Sequence, residues 1–189
     1  MIEISEGVMK KALVMYSSKY GTTKKYAEWI AEEIKGDIFD IKDVRQCKLY
    51  DYDIIVLGSG LYAGKIKGIN LLVNDYNKIK DKKLVVFTCG LADYTNMKNV
   101  NNIKMRLQKI IPNNIFENIK IFYLQGGINY KNLNIKHKIM MGMLRKMVLR
   151  KGFDKMNDED KEFLETYGQT LDFTEKSKVK EIINFCNNN

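Results

Sequence analysis

The sequence predicts a doubly wound α/β domain, and three observations carry that prediction. Five short apolar runs have the length of strands, helical patterns alternate with them, and glycines follow the third, fourth and fifth runs. A parallel sheet needs this alternation, because each crossover returns over the sheet through a helix, and its strands read as continuous apolar runs.

Ala12 to Tyr16 is the first run. From Thr22 to Lys35, Ala27, Ile30, Ala31 and Ile34 recur at i, i+3, i+4 and i+7, and Gly36 stands where a left-handed C-cap is expected. Asp37 to Ile41 is a short strand, followed by irregular chain to Asp51. Asp53 to Gly58 is the third strand, rich in β-branched residues, and it ends in Gly58-Ser59-Gly60. Ile69, Leu72, Tyr76 and Ile79 mark the second helix, and Lys83 to Cys89 is a fourth strand ending at Gly90. Val100, Ile103, Leu107 and Ile110 mark a third helix that Pro112 terminates. Ile119 to Leu124 is the fifth strand, running into Gln125-Gly126-Gly127. Residues 133 to 151 read as an amphipathic helix, the acidic stretch from Asp154 to Glu165 as another, and Val179, Ile182, Ile183 and Phe185 line the last. The right-handed crossover rule leaves few topologies for such a chain. Met9-Lys10-Lys11 reads as the natural start, with residues 1–8 as an N-terminal extension to a single domain over 1–189.

Composition narrows the function classes. The chain has 45% hydrophobic and 29% charged residues, the balance of a folded protein with its own core. Cys47, Cys89 and Cys186 are far apart and do not cluster with His137, which argues against a disulfide framework and against a zinc or iron–sulfur site. The acidic start, Met1 to Glu6, has no apolar segment of a secretory signal, and no run approaches the ~18 apolar residues of a membrane span. The expected location is the cytoplasm, with peripheral membrane association as an open alternative. The net charge is +9, and Lys131, Lys136, Lys138, Arg145, Lys146, Arg150 and Lys151 fall between 131 and 153 with no acidic residue among them. Charge gathered in one segment points to a docking site, whereas a nucleic-acid surface would spread it.

Ligands of open α/β sheets bind beyond the carboxyl ends of the strands, where the strand order reverses. After the first strand come Ser17-Ser18-Lys19-Tyr20-Gly21-Thr22-Thr23, leading straight into a helix. A hydroxyl-rich loop with a glycine at a helix N-terminus is a phosphate cradle, since free backbone N–H groups and the helix dipole face the anion. Plain capping of the helix needs only one such hydroxyl. The loop is neither G-x-x-x-x-G-K-[ST] nor G-x-G-x-x-G. Phosphoacceptor chemistry is excluded as well, because Tyr16-Ser17 and Gly58-Ser59 stand where that chemistry needs acids.

Ser18-x-x-Gly21-Thr22-Thr23 resembles the FMN phosphate loop of flavodoxins, and Gly58-Ser59-Gly60-Leu61-Tyr62-Ala63-Gly64 resembles the loop flanking the isoalloxazine. More closely, the chain resembles the menaquinone-dependent protoporphyrinogen IX dehydrogenases and their flavodoxin-domain relatives. It shares with them the Gly58–Gly64 pattern, the turn Gly126-Gly127-Ile128-Asn129-Tyr130, and a basic, Met-rich insertion. The resemblance spans about residues 9 to 187. It implies strand order 2-1-3-4-5 with a helical insertion over 131–170, and FMN as cofactor. It implies an oxidoreductase of heme biosynthesis that passes electrons to a quinone, or alternatively a flavodoxin-type carrier between protein partners.

The cofactor-binding residues it implies are Ser17, Ser18, Lys19, Tyr20, Gly21, Thr22 and Thr23, then Ser59, Gly60, Leu61, Tyr62, Ala63 and Gly64, and finally Cys89, Gly90, Leu91 and Tyr94. Tyr62 is a candidate for one face of the ring or for a lid over apolar core. Trp29 lies inside the first helix and is not a ring stacker. The flavin carries the redox work, so no catalytic side chain is assigned, and His137 reads as a solvated residue among lysines.

In the insertion, Leu133, Ile135, Ile139, Met140, Met143, Leu144, Met147 and Val148 form an apolar stripe among the basic residues. One reading packs the stripe on the sheet as core. The other presents it to an anionic membrane, a quinone pool or the propionates of a porphyrin. The expected partners are a quinone or porphyrin-type small molecule or a redox protein, with membrane contact through 131–151.

Overall fold

In the computed structural model, which describes residues 10–44, 47–62 and 65–188, the apolar runs become a parallel sheet. Strands β1 (Ala12–Ser17), β2 (Asp37–Asp40) and β3 (Ile54–Tyr62) flank helix α1 (Thr22–Ile34) in sequence. The hairpin strand β4 (Lys65–Ile66), α2 (Ile69–Ile79), β5 (Lys83–Gly90), α3 (Met97–Gln108), the short α4 (Asn113–Phe116) and β6 (Ile119–Gln125) follow. The sheet order is β2-β1-β3-β5-β6, all parallel, which is 2-1-3-4-5 when β4 is set aside, as expected.

Alternate residues of each central strand enter different cores. Leu13, Met15, Ile55, Leu57, Leu84 and Val86 pack with Leu72, Ile79, Ile103 and Leu107 from α2 and α3. Val14, Val56, Val85 and Phe87 pack on the other face with Tyr26, Ala27 and Ile30 from α1. Burial on both faces is why these strands read as unbroken apolar runs in the sequence.

Two local expectations are corrected. The left-handed residue ending α1 is Lys35 (φ 52°), one position before Gly36. Gly36 serves a different need: a Cβ there would sit 3.0 Å from the Ala12 carbonyl oxygen, so the glycine lets the chain pass close to β1. The stretch Gly58 to Tyr62, expected as a loop, is instead the second half of β3. Gly60 pairs in register with Cys89, and Leu61 and Tyr62 pair with Ile66 and Lys65 of β4, so ladder bonds on both sides keep the strand going.

The chain divides into two compact units, one formed by the chain up to Gly126 together with Thr174 onward, the other by Gly127–Phe173. The second holds β7 (Gly127–Asn129), α5 (Ile135–Arg150), α6 (Asp158–Thr166) and β8 (Thr170–Asp172). β7 and β8 pair antiparallel, with Gly127 opposite Asp172 and Asn129 opposite Thr170. Asn134 caps α5 by accepting the His137 backbone N–H at 2.9 Å, and Asn157 and Asp160 form a reciprocal capping box on α6. Lys151 Nζ lies 2.7 Å from Asp160, and Tyr167 packs between Tyr130 and Phe163 with Arg145 over its ring. The last helix, α7 (Lys180–Asn187), belongs to the first unit and adds Ile182 and Cys186 to the core beside α1.

The stripe on α5 is not a core stripe. Leu133 and Val148 are buried, whereas Ile135, Ile139, Met140, Met143, Leu144 and Met147 are exposed. The apolar residues spread around half of the helix circumference, and only the edge bearing Met141 and Val148 is covered. Among the described residues, no helix is long and apolar enough to cross a membrane, and no cluster of side chains is arranged to hold a metal ion.

Candidate functional site

The strand order reverses between β1 and β3, and Ser17 and Ser59 face each other in register at that point. From Ser17 the chain turns through Ser18 to Gly21 into α1. Ser18 Oγ accepts the Gly21 N–H at 3.0 Å and folds the loop back on itself. Gly21 adopts φ 94°, a conformation that strains any residue with a Cβ, although a Cβ there would meet nothing within 4 Å. The space beside it is therefore open.

The first hydrogen bond of α1 runs from Lys25 N–H to the Gly21 carbonyl, at 2.9 Å. The N–H groups of Thr22, Thr23 and Lys24 precede that ladder, no side chain caps them, and the first turn holds no acid. Three donors and the positive end of the dipole thus face one point, which is the electrostatic requirement for a phosphate. The residues fit the phosphate of FMN. Of the expected hydroxyls, Ser17, Ser18 and Thr22 are half-buried, Lys19 is exposed and Tyr20 half-buried, while the Thr23 side chain is buried.

The neighbouring strand ends are brought together around this helix start. Cys89, buried at the end of β5, places its Sγ 3.6 Å from Thr22 Oγ1. Gly126, just past β6, donates its N–H to the Gly90 carbonyl at 2.7 Å. A Cβ on Gly126 would stand 2.6 Å from Cys89 Sγ and 3.1 Å from Thr22 Oγ1, so only glycine lets these two strand ends and the start of α1 close up. Tyr26, on the buried side of α1, gives its hydroxyl proton to the Gln125 carbonyl at 2.8 Å and ties the helix to the end of β6. The sequence pattern, which places Ala27, Ile30, Ala31 and Ile34 on the buried face, contains no signal for Tyr26 or for this bond.

Three further residues play parts the sequence did not show. Ser59 is fully buried; its Oγ donates to the Gly60 carbonyl at 3.2 Å and accepts the Lys67 N–H at 3.0 Å. That hydroxyl fastens the β3–β4 hairpin. Gly58 lies under the Phe87 ring, where a Cβ would sit 2.1 Å from Cζ, so its role is in packing. Tyr94 folds back over Gly90, its hydroxyl 2.5 Å from where a Cβ would be, and rests beside Tyr123 at 6.0 Å between ring centroids.

The Tyr94 hydroxyl is buried with no hydrogen-bond partner, and burial pushes its pKa well up. An unpartnered buried hydroxyl at the carboxyl end of a sheet is a group for which a polar ligand atom would be the natural partner. Leu61 approaches the same position on Gly90 to 3.8 Å, Gly60 lies in β3 beside Cys89, and Leu91 is exposed. Tyr62 ends β3, while Ala63 and Gly64 lie outside the described residues. Trp29 stays within α1, edge-on to Tyr26, away from the strand ends.

The chain is similar to several known proteins. The chain is 30% identical over 126 residues to a flavodoxin of Maridesulfovibrio salexigens, covering 60% of this chain and 86% of that one. It is 33% identical to the flavodoxin-like domain-containing protein BilS of Clostridioides difficile, covering 69% of this chain and 74% of the relative. Identity to the protoporphyrinogen IX dehydrogenase [quinone] of Leishmania major is 21%, over 72% of this chain and 63% of that protein's length. The family model of the flavodoxin domain matches residues 13–158. The chain belongs to the flavodoxin-domain family, and its cofactor is the FMN of that family.

Proposed function

We propose that the chain is an FMN-dependent oxidoreductase that resembles protoporphyrinogen IX dehydrogenase and passes electrons to a quinone. The observation that carries the cofactor assignment is the uncapped, acid-free start of α1 behind Gly21, at the point where the strand order reverses. Backbone N–H groups of Thr22 to Lys24 hold the phosphate, and the Ser18 and Thr22 hydroxyls are within the same loop to add donors. The strand ends at Gly60–Leu61 and Gly90–Tyr94 flank the ring, and the Tyr94 hydroxyl supplies a buried polar contact. When bound, FMN supplies the redox chemistry, and the side chains bind, orient and exclude water. The relative in Leishmania major and the basic inserted unit support the porphyrin and quinone part of this reading.

The test is anaerobic oxidation of protoporphyrinogen by FMN-loaded protein with a menaquinone analogue, followed by porphyrin fluorescence. Turnover that requires both FMN and quinone is the expected result. A second reading, a flavodoxin-type carrier between redox proteins, is favoured by the 30% identity to a flavodoxin over 86% of its length. A fully FMN-loaded sample without turnover, but able to accept electrons from a reductase, selects that carrier.

A further inference from the structure

Among the described residues, fourteen large apolar side chains are exposed, and eight of them lie between Ile135 and Phe153. Ile135, Ile139, Met143 and Met147 form a ridge at four-residue spacing along the 16-residue helix α5, with Met140 and Leu144 beside it. Phe153, just past the helix, is 73% exposed. On a helix of 3.6 residues per turn, Lys136, Lys146 and Arg150 rise from the same half of α5 as this ridge. None of the three has a carboxylate partner among the described residues, whereas Lys151 is held by Asp160. No acidic residue occurs from Lys131 to Phe153.

Exposed aliphatic side chains interleaved with unpaired cations suit one environment: a boundary that is apolar below and negatively charged above. We infer that this face of α5, with Phe153, docks on an anionic lipid surface, the helix lying parallel to the membrane. The charge pattern decides among occupants. A two-fold pairing of α5 with a second copy would bring the same cations face to face. A head-to-tail pairing would need a matching apolar patch, and the other exposed large apolar residues are scattered singly or along α3. An acidic protein would satisfy the cations and leave Ile135, Ile139 and Phe153 in water. The inference stands on the inserted unit alone and is independent of the FMN reading.

The experiment is vesicle co-sedimentation of the full chain on phosphatidylcholine vesicles with and without phosphatidylglycerol, paired with Met143→Trp as an emission reporter on α5. Binding is expected only with phosphatidylglycerol, with a blue shift of the emission that the new indole adds. Each basic residue near an anionic surface is worth roughly fivefold in affinity, so changing Lys136, Lys146 and Arg150 together to Gln is expected to weaken binding on the order of a hundredfold. Ile139→Ser with Phe153→Ser is expected to weaken it also, through lost apolar insertion. Equal binding to neutral vesicles, or none to anionic vesicles at low salt, overturns the inference. Tight binding to polyglutamate that ignores the Ile139→Ser and Phe153→Ser changes overturns it in favour of an acidic protein. A concentration-dependent dimer that these changes dissociate overturns it in favour of a second copy.

Discussion

The two units use apolar side chains in opposite ways. In the sheet unit, Leu13, Met15, Val56, Leu57 and Phe87 are fully buried, and every central strand feeds a core on each face. In the inserted unit, α5 covers only Met141 and Val148 and leaves six large apolar residues of its stripe exposed. An apolar pattern therefore specifies a helix face or a strand, but what covers that face depends on which elements the chain has available. The sheet has helices for both faces, whereas the α5 ridge is exposed among the described residues.

The sharpest way to break this comparison is to make the same deletion in both units. Leu57→Ala removes a fully buried side chain from the centre of the sheet. It is expected to lower stability in urea unfolding by about 2–5 kcal/mol, the range for emptied core positions. Met143→Ala, at 59% exposure, is expected to fall within about 0.5 kcal/mol of the parent. Equal losses would show that α5 is packed like core.

Next in size is the pair of glycines at the site. Gly126→Val places side-chain carbon against Cys89 and Thr22, and overpacking of this kind costs about 1–3 kcal/mol. It is expected to lower both the urea midpoint and FMN affinity. Gly21→Val meets no neighbour and adds only the strain of a left-handed β-branched residue, about 1–2 kcal/mol. The folded fraction is expected to remain high while FMN quenching in a fluorescence titration disappears, because the loop no longer presents its N–H groups. An unchanged titration would remove the loop from the site.

The smallest effect concerns the ion pair within the inserted unit. The Lys151 ammonium beside Asp160, helped by the Asn157 N–H, holds the Asp160 carboxyl below the usual carboxylate range. A carboxyl lowered on folding stabilises the native state above its unfolded pKa of about 4, and that contribution fades as pH falls through the folded value. The stability gap between parent and Asp160→Asn is therefore expected to be largest near about pH 7 and to shrink below about pH 4. Helix content followed by circular dichroism during urea unfolding reads the gap, and a gap independent of pH would show that the carboxylate charge contributes nothing.

Much of the sheet unit was legible because its strands are buried on both faces and so stand out as continuous apolar runs. The turn from β1 into α1 was legible for a similar reason, since a strand end, a glycine and a helix start occur together there. Gly58-Ser59-Gly60 misled because glycine usually punctuates chain, whereas here Gly58 makes room for the Phe87 ring and the strand continues. Ser59 shows the same limit: the sequence gives no sign that its hydroxyl bonds Gly60 and Lys67 within the hairpin. Gly36 was read as a cap, but Lys35 tolerates the left-handed conformation and the glycine is needed for the approach to Ala12. The exposure of the α5 ridge could not be read from periodicity, which gives the face and not its cover.

The most direct test of the central claim compares FMN with riboflavin, which has the same ring and lacks the phosphate, by fluorescence quenching on the ligand-free protein. If Thr22, Thr23 and Lys24 hold the phosphate through charge-assisted bonds of about 1.5–3 kcal/mol each, riboflavin binds at least about a thousandfold more weakly than FMN. Equal quenching by the two would contradict the account, because the ring alone would then carry the affinity and the start of α1 would not be the site.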